Sequence, residues 1–185
     1  MGALLTLPLS ITACEDEPTP PPPPAKQKVR LDVDWPDGTE LDRDGFATLS
    51  ARSRAAVLRS EIPVLVPTEA IDSAIVMARP AWTAVSARRD GLTISLHATR
   101  VAHTYPGIQP AKGPARVRNQ PAFITQNEGI WSASWKEYGA HYALEVECDD
   151  PAEARCTDDA EVRSLAKTLR YVGGRLHADL LEGAR

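Results

Sequence analysis

Residues 131–156, WSASWKEYGAHYALEVECDDPAEARC, constrain the fold more than any other stretch of the chain. Tyr138-Gly139 offers a tight turn, because glycine tolerates the positive φ that a two-residue hairpin demands. With the turn there, Glu137 faces Ala140, Trp135 faces Tyr142, Ala133 faces Leu144 and Trp131 faces Val146. Lys136 and His141, Ser134 and Ala143, and Ser132 and Glu145 fall on the opposite face. One register therefore sorts every large apolar side chain to one side, and a slip of one residue would undo the sorting. Each aromatic or β-branched cross-strand pair adds roughly 0.2–1 kcal/mol. The stretch predicts a β-hairpin whose aromatics belong to the core.

Cys148 lies on the buried parity, with Leu144 and Val146. It and Cys156 bracket a short loop whose aspartates and proline suit a tight return, so a Cys148–Cys156 disulfide is expected. In the chain-entropy model such a loop stabilises by about 2.5 kcal/mol. Two thiols alone make a poor metal site, and no metal or other cofactor is expected. The third cysteine, Cys14, then needs its own explanation.

The N-terminus supplies it. Residues 3–11, ALLTLPLSI, form an apolar run too short to span a bilayer and suited to the core of an export signal. The run ends in Ile11-Thr12-Ala13-Cys14, an aliphatic residue, two small ones and a cysteine. This resembles the lipobox of bacterial lipoproteins. The resemblance implies a signal peptide over 1–13, cleavage before Cys14 and diacylation of its thiol. No Lys or Arg lies between Met1 and Cys14, a departure from the usual basic start. Export also places the cysteine pair in an oxidising compartment. Residues 15–28, EDEPTPPPPPAKQK, contain the unbroken run Pro20 to Pro24. Polyproline II rises about 3.1 Å per residue, so residues 14–28 read as a lipidated tether reaching on the order of 40 Å. Residues 29–185 read as one globular domain.

Within that domain, residues 29–35 alternate apolar and polar and suit a short strand. The acidic cluster Asp32, Asp34, Asp37, Glu40, Asp42 and Asp44 lacks calcium-loop spacing, since Pro36 interrupts it, and reads as a solvated loop. Asp44 is positioned to cap a helix over 45–60 with Phe46, Leu49, Ser53, Ala56 and Val57 on one face. Residues 62–67, IPVLVP, suit a buried or edge strand, and residues 69–78 fit helix and strand alike. Asp90-Gly91 marks another hairpin, with Val85 and Ala87 facing Leu96 and Ile94 and with His97 on the other parity. Trp82-Thr-Ala and Trp131-Ser-Ala each begin a strand that turns at a glycine, which raises an internal duplication. Residues 103–119 suit a long mobile loop, and Phe123-Ile124 a short strand. Asp158 and Glu161 are spaced as a capping box for a helix carrying Val162, Leu165, Ala166 and Leu169, stopped by Gly173-Gly174.

Hairpin signals outnumber crossover helices. The expected fold is α+β, a mainly antiparallel sheet built from two hairpins with a C-terminal helix packed on it. The strand PVLVP at 63–67, and Cys148-Asp149-Asp150-Pro151 before Arg155-Cys156, are similar to pieces of uncharacterised bacterial periplasmic proteins. That resemblance spans 60–174 and implies no catalytic residues.

The histidines His97, His103, His141 and His177 show no metal-ligand spacing, and no nucleophile elbow or phosphate-binding glycine loop occurs. His141, Glu145 and Glu147 share one strand face, which a small envelope hydrolase could use as an acid–base site and which an ordinary solvated face explains equally well. The net charge of -4 argues against nucleic acid as the main partner. The expectation is a lipoprotein of the bacterial cell envelope, facing the periplasm or cell exterior. It is held on its membrane through Cys14 and acts as a binding, assembly or accessory module for an envelope protein partner. The hydrolase near His141 and Glu145 is the alternative.

Overall fold

A computed structural model describes residues 25–182. Cys14, the signal-like run and the Pro20–Pro24 segment lie outside the described residues. The architecture is α+β and its sheets are antiparallel. Seven strands form the main sheet: β3 (Ile75–Arg79), β4 (Trp82–Arg89), β5 (Leu92–Thr99), β7 (Ala115–Val117), β8 (Gln120–Asn127), β9 (Ile130–Glu137) and β10 (Ala140–Cys148). Their spatial order is β3-β4-β5-β10-β9-β8-β7. The sheet is thus wider than two hairpins, because β3 and β8 extend the hairpins into three-stranded meanders.

The two meanders repeat each other. Ile75 pairs with Ser86 as Phe123 pairs with Ser134, and Val85 pairs with Leu96 as Ala133 pairs with Leu144. A constant offset of 48 residues carries Gly91 onto Gly139 and every pair of β3–β5 except Trp82 with Thr99 onto a pair of β8–β10. Where they meet, across β5 and β10, Leu96 faces its own counterpart Leu144. A two-fold axis through that pair relates the halves. The tryptophan match in the sequence is off by one residue. Trp82 corresponds to Ile130, not Trp131, so Trp82 points outward whereas Trp131 points to the core.

Type I′ geometry closes both hairpins. Asp90 and Gly91 have φ 44° and 77°, and Tyr138 and Gly139 have φ 49° and 70°. Gly139 also lies directly against the Asp32 carbonyl, leaving no room for a Cβ.

One face of the sheet is covered. Beneath it lie α1 (Arg43–Thr48), α2 (Ala51–Arg59), α3 (Ala160–Thr168) and a two-stranded ribbon of β2 (Val64–Pro67) with β11 (Leu169–Gly173). The expected 45–60 helix is two helices. Leu49 is extended with ψ 148°, and the Ser50 hydroxyl takes the Ser53 N–H at 3.2 Å to start a new helix. Its predicted face is nevertheless buried throughout. Asp42, not Asp44, caps α1, accepting from the Gly45 N–H at 2.8 Å.

The helix expected to end at Gly173-Gly174 stops at Thr168. Leu169 is the last residue of its apolar stripe and the first of β11, where β2 offers a partner strand. Asp158 bonds the Ala160 N–H at 2.9 Å, but Glu161 turns to Arg89, so no reciprocal capping box forms. A 3-10 turn and α4 (Ala178–Glu182) close the described chain, burying Leu181.

The remaining strands are β1 (Gln27–Arg30) and β6 (Val101–Thr104), which pair as a ribbon continuing from the end of β5. The strand expected over 29–35 is therefore earlier and shorter, and the 103–119 loop narrows to the segment between β6 and β7. No described helix is long and apolar enough to cross a membrane.

Candidate functional site

Strand alternation places a grid of side chains on the sheet's other face. Cross-strand pairing lines up Met77, Ala84, His97, Ala143, Ser134 and Phe123 in one row. The row on one side reads Arg79, Trp82, Thr99, His141 and Lys136, and on the other Ile75, Ser86, Ser95, Glu145, Ser132 and Thr125. The centre is mostly small residues, interrupted by His97, His141 and Glu145. Large apolar side chains stand at both margins and are left open, with Ile75 61%, Met77 51%, Trp82 38% and Phe123 42% exposed. The described helices pack on the opposite face.

Small central residues beneath a tryptophan make a shallow depression of about 270 Å³, lined by Trp82, His97, Thr99, Ser134, His141 and Ala143. His97 and His141 are diagonal neighbours across β5 and β10, since His97 faces Ala143 and His141 faces Thr99. Partial burial, and then the Lys136 ammonium opposite, hold the His141 imidazole below its ordinary pKa. Such a surface can stack a flat group on Trp82 and hydrogen-bond it through imidazole or hydroxyl. The sequence missed Trp82 and His97 because they belong to a different hairpin from His141. Only the β5–β10 pairing brings them together.

The structure does not assemble His141 with Glu145. They are four residues apart on one extended strand, about 13 Å at 3.3 Å per residue. Glu145 faces Ser95 and Ser132, and no hydrogen bond joins it to His141 among the described residues. Glu147 is farther still. Among the described residues, no group of three or more His, Cys, Asp or Glu is placed to hold a metal ion.

Cys148 and Cys156 stand at bonding distance with Cα atoms 6.4 Å apart, compatible with the expected disulfide. Their loop docks on the other hairpin's turn. The Asp149 N–H bonds the Gly91 carbonyl at 2.8 Å, and Arg88 grips both Asp149 oxygens at 2.8 Å. The Trp131 indole donates to the Cys156 carbonyl at 2.9 Å.

On the covered face, Glu137 accepts from Arg118 at 2.7 Å and from the Trp135 indole at 2.9 Å. Arg118 also donates to the Leu169 carbonyl at 2.8 Å, at the C-terminal end of α3. Burial, aided by Glu137 and Glu40, pushes the Tyr138 phenol up to about 12. These groups fasten the layers together. Comparisons with protein families, with curated proteins and with solved structures find no match for this chain.

Proposed function

We propose that this protein is a lipid-anchored module of the bacterial cell envelope that binds another envelope protein through the bare face of its seven-stranded sheet. The observation that carries the reading is that face. Its helices lie on the other side, and Ile75, Met77, Trp82 and Phe123 stand exposed along it. Exposed apolar side chains gathered on one surface mark interaction sites. The lipobox-like Ile11–Cys14 segment supports the membrane half of the reading. Each buried CH₂ of an acyl chain contributes about 0.8 kcal/mol, so several chains on Cys14 hold the protein on its membrane. Tethering then raises its effective concentration for partners in the same layer. The separation of His141 from Glu145 disfavours the hydrolase.

The test has two arms. Mass spectrometry of the protein expressed in a bacterium should find a mature chain beginning at diacylated Cys14, and Cys14→Ser should release it from membranes. Trp82→Glu with Met77→Glu should abolish complementation of a deletion phenotype while the protein stays folded and anchored. Full activity in that double variant, or in the released Cys14→Ser form at normal expression, overturns the reading. Activity lost only with His141→Ala would favour the hydrolase.

A further inference from the structure

Charge is distributed unevenly over this molecule. The chain carries a net -4, yet residues 25–31 and 101–127 contain no Asp or Glu. Those two segments include the β1–β6 ribbon, which continues beyond the main sheet, and the loop from β6 to β7. Lys26, Lys28 and Lys112 are exposed there, and none has an ion-pair partner among the described residues. Apolar side chains of the same two segments also stand exposed, with Val29 39%, Tyr105 42% and Ile108 61% open. Cations interspersed with an aliphatic residue and a tyrosine form the combination that partitions into the headgroup region of an anionic bilayer. The ribbon is also where the described chain begins. Gln27 pairs with Thr104 at its tip, thirteen residues from Cys14. A span of that length can reach at most about 45 Å, so the arm is the part of the domain that the tether holds nearest its anchor.

We propose that the β1–β6 arm and the Tyr105-to-Ile108 turn are the surface by which the domain lies against an anionic phospholipid bilayer. The proposal deepens the anchoring reading given above, and the contact itself does not require the acyl chains. Ribbon and loop approach the membrane together. Lysines meet headgroup phosphates while Tyr105 and Ile108 enter the interface. The bare sheet face, which belongs to the main sheet and not to the arm, stays available to a protein partner.

Hydrogen exchange of the full chain carrying Cys14→Ser, with and without vesicles, tests this. Vesicles containing phosphatidylglycerol should slow exchange in residues 26–31 and 101–112, high salt should reverse the effect, and phosphatidylcholine vesicles should produce none. Each Lys-to-Gln change should weaken partitioning about fivefold. Lys26→Gln, Lys28→Gln and Lys112→Gln together should therefore weaken it by about a hundredfold, and Ile108→Asp should weaken it without altering net exchange elsewhere. Vesicle binding without protection of the arm overturns the proposal, as does equal protection on neutral vesicles. So does protection that is already present without vesicles and vanishes when Glu15, Asp16 and Glu17 are neutralised, which would make the chain's own acidic segment the occupant. Whether Cys14 is acylated is read separately by mass spectrometry, so failure of the anchor and failure of the arm give different results.

Discussion

The two meanders share a backbone and differ in what they carry. At the 48-residue offset, Ala87 corresponds to Trp135 and Ile94 to Tyr142. In β3–β5 the inward side chains before Arg89 are small or aliphatic and mostly buried, and α2 lies beneath the edge strand. The Ser53 hydroxyl on α2 bonds both the Ala74 carbonyl at 3.2 Å and the Val76 N–H at 3.1 Å, which brings helix and sheet edge close. In β8–β10 the inward side chains include Trp135 and Tyr142, stacked at 5.6 Å, and the Tyr142 hydroxyl reaches the Pro63 carbonyl at 2.9 Å. Turn and alternation thus fix the register alike in both halves. Side-chain size follows the distance to whatever packs opposite.

Charge follows a similar rule. Arg89 and Glu137 are counterparts, each the last strand residue before a hairpin turn. Arg89 pairs with Glu161 at 2.7 Å in the first turn of α3, and also with Glu69. Glu137 holds Arg118, which bonds the carbonyls at the far end of α3. A helix favours an acid at its N-terminus and a cation at its C-terminus. Equivalent positions of opposite charge therefore pin the two ends of one helix.

The largest break in this comparison is Trp135→Ala. It removes the stacked ring and should cost about 3–5 kcal/mol in urea unfolding, whereas Ile94→Val in the other half should cost about 1 kcal/mol. Equal costs would show that the aromatic pair is not what holds β8–β10 to its cover. Cys148→Ser comes next. Its counterpart is Arg100, so only one half is cross-linked, and the loss should be about 2.5 kcal/mol. Reductant should bring the parent protein to the same midpoint and leave the variant unmoved; two free thiols titrated in the untreated protein would contradict it. Glu137→Gln strands the mostly buried Arg118 and should cost about 2 kcal/mol. Arg89→Gln should cost less, about 1 kcal/mol, because the freed Glu69 is largely exposed and returns to water, while the partly buried Glu161 stays favoured by the N-terminus of α3. A larger effect for Arg89 would reverse the ranking of the two helix ends.

Much of this was legible because alternation and turn residues act locally. The pairs around Tyr138-Gly139 and Asp90-Gly91 follow from a period of two and a glycine. The buried face of Phe46, Leu49, Ser53, Ala56 and Val57 follows from helical spacing even though the helix breaks at Ser50. Other features depend on remote chain. Leu169 fits helix and strand equally, and only β2 decides for the strand. Glu161 fits a capping box until Arg89 arrives from 72 positions away. The depression was invisible for the same reason. Trp82 and His141 meet because β5 pairs with β10, and no local pattern specifies which hairpin edge meets which. The internal duplication shows in the sequence, but its 48-residue offset does not, because so few counterparts are identical and the tryptophans suggest an offset of 49.

His141 gives the smallest effect and the sharpest contrast, since Thr93 occupies the matching position and cannot titrate. Burial and Lys136 lower the His141 pKa in the fold, so the folded state prefers the neutral ring. An unfolded chain protonates it near its ordinary value of about 6.5. Above that value both states are neutral and the fold has its full stability. As pH falls below it, the unfolded state binds the proton first and stability declines, levelling once pH passes the folded pKa. His141→Gln should therefore flatten part of the fall in melting temperature between pH 7.5 and 5.5. Imidazole NMR titration should place His141 below the peptide value, and Lys136→Gln should move it partway back, because burial, the larger cause, remains. A His141 midpoint at or above the peptide value, or one that ignores Lys136, would mean that the ring is solvated like any surface histidine. The depression beside it would then lose its claim to a distinct electrostatic character.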